Sequence, residues 1–191
     1  MIGAVVLAAG RAARFGGDKV VAPWRGTAIV RHVVDRLVLA GLSPIVVVCG
    51  PDTARLQTLL EGTDARVVAN PRRDEGLSSS LRLGIETLPT PLDGFVVALG
   101  DQPGIDPALI GRMADVWRDS NAAAVVPQYR DGRGNPVLFD DTMRRRLAML
   151  TGDAGARELL AGMGDRVVPV PVDADAPRDV DTREDLRALD G

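Results

Sequence analysis

The sequence predicts an α/β fold in which a mostly parallel sheet lies between two layers of helices, as a three-layer α/β/α sandwich. Two observations support this prediction. Short runs rich in β-branched residues alternate along the chain with segments of helical periodicity, which is typical of proteins built on parallel strands. The runs are also nearly continuous in apolar residues, as expected for strands that helices cover on both faces.

The individual elements follow from this alternation. Strands are expected at residues 4–8, 45–49, 66–69, 95–99, 123–127 and 167–172. Helices are expected at residues 28–40, 53–60, 79–88, 108–118, 141–150 and 154–161, with a short final helix at 183–189. In the first of these helices Ile29, Val33 and Leu37 share one face, and Gly41 marks its end.

Length and composition set limits on the class of protein. A chain of 191 residues is long enough for one domain with a sizeable core, so we expect a single domain over residues 1–191. The net charge of −3 gives no reason to expect a nucleic-acid partner. Cys49 is the only cysteine, which excludes a disulfide within the chain. No apolar run approaches a membrane span and no secretory leader is evident, so we expect a cytoplasmic protein without a membrane partner.

The first functional signal is the loop that follows the first predicted strand. The strand ends at Gly10, and residues 11–19 carry three cations and two further glycines. Glycine lets backbone N–H groups approach phosphate oxygens closely, while the cations supply compensating charge. The loop is not a Walker A loop, because Phe15 stands where the second glycine would be, and it lacks the later glycines of a Rossmann fingerprint. We therefore expect a phosphate-binding loop of a third kind.

Acidic residues supply the second signal. Asp101 follows strand 95–99 directly, in a Gly-Asp-Gln-Pro turn, so its carboxylate would project into the crevice beyond the carboxyl ends of the strands. Mg²⁺ is bound through one or two carboxylates plus substrate phosphates, which makes Asp101 a candidate ligand. Asp179 or Asp181, on an extended segment before the last helix, could complete the site, and we favour Asp181. Turn formation is the structural alternative for Asp101. Thr182 followed by Asp185 predicts a cap for the last helix, and capping with solvated charge is the alternative for Asp179 and Asp181.

Three further segments fit either binding or ordinary local structure. Gly76 and a run of three serines open a helix, which suits an anion or sugar hydroxyls but also simple capping. The glycine-rich turn at residues 132–139 and the helix start at 152–157, with Asp153 as its expected cap, fit an acceptor site or ordinary turns equally well. His32 is the only histidine and lies within the first helical pattern, where a surface or packing role is expected, and one histidine cannot form a histidine metal cluster.

Together these motifs resemble the molybdenum cofactor nucleotidyltransferases, in the same order from residue 5 to residue 186. The motifs are Leu-Ala-Ala-Gly at 7–10, Gly-Leu-Ser-Ser-Ser-Leu at 76–81, Gly-Asp-Gln-Pro at 100–103, Gly-Asn-Pro-Val at 134–137 and Asp-Val-Asp-Thr at 179–182. The first two look like the cytidylyltransferase branch, because the guanylyltransferase branch typically has Leu-Ala-Gly-Gly. The chain departs from the pattern at Ala12, where many relatives carry Ser or Gly, and at Asn135, where cytidylyltransferases often carry His.

The resemblance implies a Rossmann-like nucleotidyltransferase fold and a Mg²⁺-dependent enzyme. Such an enzyme moves CMP (or GMP) from a nucleoside triphosphate, with CTP favoured and GTP possible, to a phosphorylated acceptor such as molybdopterin, and releases pyrophosphate. The implied catalytic residues are Arg14, Lys19 and Asp101, and the implied metal ligands are Asp101 and Asp181. The implied nucleotide-binding residues are Leu7, Ala8, Ala9, Gly10, Arg11, Gly16, Gly17, Lys19, Asn70, Ser78, Ser79 and Ser80. The implied acceptor-binding residues are Gly134, Asn135, Asp153 and Arg157.

Other functions remain open at this point. The acceptor could instead be a sugar phosphate or a methylerythritol phosphate. A nicotinamide-dependent oxidoreductase could use the same crevice, although the missing Rossmann fingerprint argues against it. A non-catalytic nucleotide sensor is a third class, against which the presence of Lys19 with two candidate metal carboxylates argues.

Overall fold

The centre of the molecule is one mixed sheet of eight strands. The structure is a computed structural model that describes residues 1–10, 15–153 and 156–189, apart from the side chains of residues 157 and 158. In chain order the strands of the protein are β1 (Ile2–Ala8), β2 (Pro23–Trp24), β3 (Thr27–Ala28), β4 (Ile45–Cys49), β5 (Arg66–Ala69), β6 (Gly94–Leu99), β7 (Ala124–Tyr129), β8 (Gly132–Arg133), β9 (Val137–Asp140) and β10 (Val167–Pro171). Strands β2 and β3 pair only with each other, as a small separate hairpin.

The sheet has the order β10-β7-β9-β6-β1-β4-β5, and β8 pairs with β7. Strand β1 pairs in parallel with both β4 and β6, β4 pairs in parallel with β5, and β10 pairs in parallel with β7. Strand β9 runs antiparallel between β6 and β7. The mostly parallel mixed sheet predicted from the sequence is confirmed.

Helices cover both faces of this sheet. They are α1 (Ile29–Leu39), α2 (Thr53–Leu59), α3 (Leu77–Thr87), α4 (Pro107–Arg118), α5 (Arg144–Ala148), α6 (Ala156–Ala161) and α7 (Arg183–Ala188). Because successive side chains of a strand point to opposite faces, Val6 of β1 joins the apolar cluster beneath α1 and α4, whereas Val5 joins the one beneath α3 and α5. These two cores make the sandwich three-layered. Within the described residues, no helix is both long and apolar enough to cross a bilayer.

The structure corrects the predictions at the edges of the sheet and at two helices. The edge strands β5 and β10 are only partly buried, so they are not covered on both faces as the inner strands are. The helix expected at 141–150 is a 3₁₀ turn over Asp141–Met143 followed by the short α5. Helix α3 begins at Leu77 rather than at Ser79, with Gly76 at its N-cap position.

A third, smaller apolar cluster lies beside the sheet and contains Phe15, Trp24, Ile29 and Val180. It packs the chain after the first loop against the segment that leads into α7. The guanidinium of Arg183, the first residue of α7, lies 5.5 Å from the centre of the Phe15 ring. The C-terminal segment is therefore held next to the loop that follows β1.

Helix α3 lies so close to the sheet that Gly84 has no room for a side chain. A Cβ there would overlap Val5 Cγ1 and lie 3.1 Å from Val48 Cγ2, and both valines are fully buried. We expect Gly84→Ala to lower the free energy of unfolding by about 1–3 kcal/mol, because overpacking outweighs the helix preference of alanine. Gly111, in α4, has open space around it, so Gly111→Ala should raise the same quantity by up to about 1 kcal/mol. Urea denaturation of both variants measures this, and equal effects would contradict the packing argument.

Candidate active site

A cleft of about 700 Å³ opens at the carboxyl ends of β1 and β6. Ala8 and Gly10 line it from the end of β1 and the loop that follows, Leu99 lines it from the end of β6, and Leu77 and Ser80 line it from the start of α3. The topology explains this position, because β1 and β6 are parallel neighbours and their loops emerge at the same edge of the sheet.

The side-chain amine of Lys19 joins two carboxylates on the wall of this cleft. Its Nζ lies 2.5 Å from Asp101 Oδ2 and 2.7 Å from Asp181 Oδ1. The side chains of Lys19 and Asp101 are 11% and 17% exposed, and that of Asp181 is 36% exposed. Burial alone would lower the pKa of Lys19, but the hydrogen bonds and charges of the two aspartates outweigh it, so this pKa is raised and the amine is cationic. The three groups form one ion-paired cluster with an excess of negative charge.

Backbone contacts hold the turn that carries Asp101 in place. Gly100, between β6 and Asp101, donates its N–H to the carbonyl of Leu7 over 2.9 Å, and a Cβ at this residue would lie 3.0 Å from Ala8 Cβ. Asp101 accepts the N–H of Val180 at its own carbonyl over 3.1 Å. Gly100 therefore lets the turn after β6 approach the end of β1. The same turn holds the C-terminal segment through the hydrogen bond between Val180 and Asp101.

The predicted cap of the last helix contributes to the same arrangement. Thr182 and Asp185 form a capping box at the start of α7, as the sequence indicates. Asp185 Oδ2 also accepts the backbone N–H of Asp181 over 3.1 Å. Asp181 is thus held from the α7 side through its backbone while its side chain contacts Lys19.

The structure separates the two aspartates that sequence reasoning treated as alternatives. Asp179 Oδ1 accepts a hydrogen bond of 2.7 Å from Gln102 Nε2, whereas it is Asp181 that contacts Lys19. The pKa of Asp179 is raised, chiefly because the residue is partly buried. The Gln102 hydrogen bond opposes this rise. The charges of Asp101 and Asp181 add to the rise, and the charge of Lys19 opposes it. Among the described residues, Asp101 Oδ1 and Gln102 Oε1 are buried and have no hydrogen-bond partner.

Asn70 and Ser79, both predicted to bind nucleotide, lie within the protein behind the wall of the cleft. Asn70 Nδ2 donates to Ser79 Oγ and Ser80 Oγ over 2.9 Å each, and Asn70 Oδ1 accepts the N–H of Arg72. Ser79 Oγ lies 2.8 Å from the carbonyl oxygens of both Arg72 and Gly76, and its one proton can be donated to either. Gly76 has φ of +100°, a conformation that favours glycine. This network ties the end of β5 to the start of α3.

A second cavity of about 470 Å³ adjoins the cleft and shares Leu7, Leu77, Leu99 and Asp153 with it. Its wall is mainly apolar, and it also includes three of the residues predicted to bind an acceptor, Gly134, Asn135 and Asp153. The hydroxyl of Tyr129 donates a hydrogen bond to the carbonyl of Asn135 over 3.0 Å and so holds the turn that contains Gly134 and Asn135. Burial raises the pKa of Tyr129 to about 12, so this hydroxyl keeps its proton near neutral pH.

The structure thus gathers most of the predicted site residues at one edge of the sheet. The cleft is lined by Leu7, Ala8, Ala9, Gly10, Lys19, Ser80, Asp101, Asp153 and Asp181. Among the described residues, Gly16, Gly17, Asn70, Ser78 and Ser79 are not part of this lining. Arg11, Arg14 and the side chain of Arg157 lie outside the described residues, as does the segment through which Asp153 would cap α6.

Sequence reasoning missed Arg73 and Asp74, which line the cleft from the turn after β5. The guanidinium of Arg73 packs against Gly50, at a place where a Cβ would overlap it. The signal was available, because this turn follows a parallel strand just as the turn of Asp101 follows β6. Charged residues at that edge are candidates for ligand contacts in any parallel sheet.

The carboxylates of Asp101 and Asp181 fit a hard divalent cation. One oxygen of each carboxylate contacts the same atom, Lys19 Nζ. In the part of the chain that the structure describes, no group of three or more His, Cys, Asp or Glu side chains could hold a metal. A cation bound by these two carboxylates would take further ligands from water or substrate, as Mg²⁺ usually does.

The fold and the cleft are those of a nucleotidyltransferase. The MobA-like NTP transferase domain family matches residues 4–167, and the chain belongs to this family. It is a transferase of the molybdenum cofactor nucleotidyltransferase type, as the motifs of the sequence indicated.

Solved and curated relatives agree with this assignment. Rv0371c from Mycobacterium tuberculosis H37Rv is 35% identical with a TM-score of 0.85, over 98% of this chain and 96% of that one. Its manganese complex superposes with a TM-score of 0.82 at 34% identity, over the same shares of both chains. A probable molybdenum cofactor guanylyltransferase of Thermococcus gammatolerans is 33% identical over 72% of this chain and 67% of its own. The nicotine blue oxidoreductase of Paenarthrobacter nicotinovorans is 30% identical over 97% and 92%.

The hydrogen bonds of Asn70 predict a measurable structural role. We expect Asn70→Ala to lower the free energy of unfolding by about 1–3 kcal/mol, because it leaves the buried Ser80 hydroxyl and the N–H of Arg72 without their partner. Asn121 is exposed, and Asn121→Ala should change the same quantity by less than about 0.5 kcal/mol. Thermal and urea denaturation compare the two variants. An unchanged stability of Asn70→Ala would show that the network does not hold the cleft wall.

Proposed function

We propose that this enzyme transfers CMP, or GMP, from a nucleoside triphosphate to a phosphorylated acceptor such as molybdopterin and releases pyrophosphate. The observation that carries the proposal is the Lys19 amine in the cleft, in contact with Asp101 and Asp181. A cation beside two carboxylates, at the carboxyl edge of a parallel sheet, provides both a phosphate contact and a site for a divalent ion.

In the proposed reaction an oxygen of the acceptor phosphate bonds to the α-phosphorus. The bond from that phosphorus to the bridging oxygen breaks, and pyrophosphate takes the electron pair with it. Lys19 would contact the α-phosphate and stabilise the charge of the transition state. Arg14 and the backbone N–H groups between Gly10 and Gly17 would contact the β- and γ-phosphates. Because the acceptor phosphate is already ionised near neutral pH, the reaction needs no strong general base.

Asp101 and Asp181 would hold the divalent cation, for which Mg²⁺ is our proposal. Such a cation would offset part of the triphosphate charge and polarise the α-phosphorus. The manganese complex of Rv0371c supports a divalent metal in a protein 34% identical to this one. Asp179 is left out of this proposed pair, because its Oδ1 accepts from Gln102 while Asp181 is the aspartate that contacts Lys19 beside Asp101.

The acceptor would occupy the second cavity, beside Gly134, Asn135 and Asp153. Its largely apolar wall suits the ring system of an acceptor such as molybdopterin. Asp153 lines both cavities, so the acceptor phosphate would lie near it where the two cavities meet. A sugar phosphate or methylerythritol phosphate is more polar and is the less favoured acceptor. Oxidoreduction with a nicotinamide cofactor does not follow from family membership, although one relative carries an oxidoreductase name.

The two proposed metal carboxylates should be more important for turnover than Asp179. We expect Asp101→Asn and Asp181→Asn each to lower pyrophosphate release by about 10²-fold or more, the cost of losing a preorganised charge. Asp179→Asn keeps an oxygen that can accept the Gln102 hydrogen bond and should have a much smaller effect. Asp115→Asn, on the exposed face of α4, is the surface control. Full activity of Asp101→Asn would disprove the proposed mechanism.

Base preference is the second measurable consequence. Ala9 lines the cleft, and Leu-Ala-Ala-Gly is the motif of the cytidylyltransferase branch, so kcat/KM should be highest with CTP. Pyrophosphate release with CTP, GTP, ATP and UTP, in the presence of Mg²⁺ and a molybdopterin acceptor, measures this. Preference for GTP would overturn the base assignment and leave the chemistry intact. Binding of NADPH alone, indifferent to Asp101→Asn, would instead contradict the transferase proposal.

A further inference from the structure

We propose that Lys19 and the divalent cation compete for the same carboxylate oxygens, and that bound nucleotide relieves this competition by drawing the Lys19 amine onto its phosphates. Metal and nucleotide would then bind cooperatively, each raising the affinity for the other. The inference rests on the proposed function, because it takes Asp101 and Asp181 as the metal carboxylates.

The geometry places the competition at particular atoms. Lys19 Nζ contacts Asp101 Oδ2 and Asp181 Oδ1. The other oxygen of Asp101, Oδ1, is buried and is therefore not the one that faces an incoming ion. A cation that approaches Asp101 from the cleft meets the oxygen to which Lys19 is already bonded. Since an ammonium group and a divalent ion repel each other at such short range, the two cannot share these oxygens without a large loss of affinity.

The residue type also suits the proposed exchange. Lys19 is the only lysine in the chain, and arginine provides every other cationic side chain of the 23 counted as Lys or Arg. A lysine amine is a compact point charge on a flexible four-carbon stem, whereas a guanidinium is a planar fork that binds a carboxylate through two hydrogen bonds. A lysine can therefore leave the carboxylates for a nearby phosphate by rotating its own side chain. Its position on the wall of the proposed triphosphate cleft places such a phosphate within the same space.

Linkage then fixes the direction of each effect. If nucleotide removes the amine from the metal oxygens, it raises the metal affinity, and metal must raise the nucleotide affinity by the same factor. Removal of the amine by mutation should act on the metal as nucleotide does. A variant that impairs catalysis would thus bind metal more tightly, which a merely structural role of Lys19 does not predict.

The test is a titration with Mn²⁺ alone, with free Mn²⁺ measured by electron paramagnetic resonance. We expect Lys19→Met to bind Mn²⁺ about tenfold more tightly than the wild type, within the usual range of coupling between sites. α,β-Methylene CTP, which cannot transfer its nucleotidyl group, should raise the Mn²⁺ affinity of the wild type by a similar factor. In Lys19→Met this increase should be smaller.

Arg73→Met is the matched control. Arg73 lines the same cleft, and it forms a long ion pair with Asp74, at 3.9 Å. The Arg73→Met substitution therefore removes one positive charge from the cleft and leaves the cluster of Lys19, Asp101 and Asp181 in place. An equal gain of Mn²⁺ affinity in Arg73→Met would mean that net charge alone explains the effect and would overturn the proposal. Unchanged or weaker Mn²⁺ binding by Lys19→Met would also overturn it.

A second measurement does not depend on a folded variant. Because the chain has one lysine, protein labelled with ¹³C,¹⁵N-lysine gives a single side-chain Nζ signal in an NMR spectrum. We expect Mg²⁺ alone to leave this signal nearly unchanged up to concentrations at which α,β-methylene CTP with Mg²⁺ shifts it strongly. A Lys19 signal whose chemical shift does not change when α,β-methylene CTP and Mg²⁺ are added would overturn the proposal. These outcomes are separate from pyrophosphate release, so failure of the competition and failure of the proposed transferase reaction can be told apart.

Discussion

The interaction on which the rest of this molecule depends is the ion-paired cluster of Lys19, Asp101 and Asp181. A buried charge is tolerated only with partners, so the largely buried Lys19 and Asp101 stabilise each other, and the more exposed Asp181 adds a second partner for Lys19. The cluster joins three distant parts of the chain: the loop after β1, the turn after β6 and the segment before α7. Lys19 and Asp181 are 162 positions apart in the sequence. The sheet order, with β1 beside β6, is what makes this meeting possible.

The C-terminal segment is as much a part of the site as the sheet is. The family match ends at residue 167, yet Asp181 lies beyond that point and completes the cluster. Three successive residues attach the segment to the site: Asp179 through Gln102, Val180 through the small apolar cluster, and Asp181 through Lys19. Loss of this segment would therefore remove a site carboxylate as well as a short helix.

Sequence reasoning was strongest where a local rule applied. Asp101 could be found because a charged residue in the turn that follows a buried parallel strand has few places to project other than the crevice. The capping box of Thr182 and Asp185 could be found because both residues act within one turn of helix. The serines of α3 show where such rules stop: Ser80 lines the cleft, whereas Ser79 bonds to backbone carbonyls inside the protein. Neighbouring residues of one type cannot be told apart until the packing around the helix is known.

The sequence by itself determined the α/β class, the parallel inner strands, the helices that cover them and the edge of the sheet where the site lies, because hydrophobic periodicity and turn chemistry are local properties. Only the tertiary structure decided which of Asp179 and Asp181 contacts Lys19, that Asn70 supports the cleft wall, and that Arg73 lines it. Those outcomes depend on strand order and on contacts between residues far apart in the chain. No local pattern encodes such contacts, since they arise when the whole chain packs around one sheet.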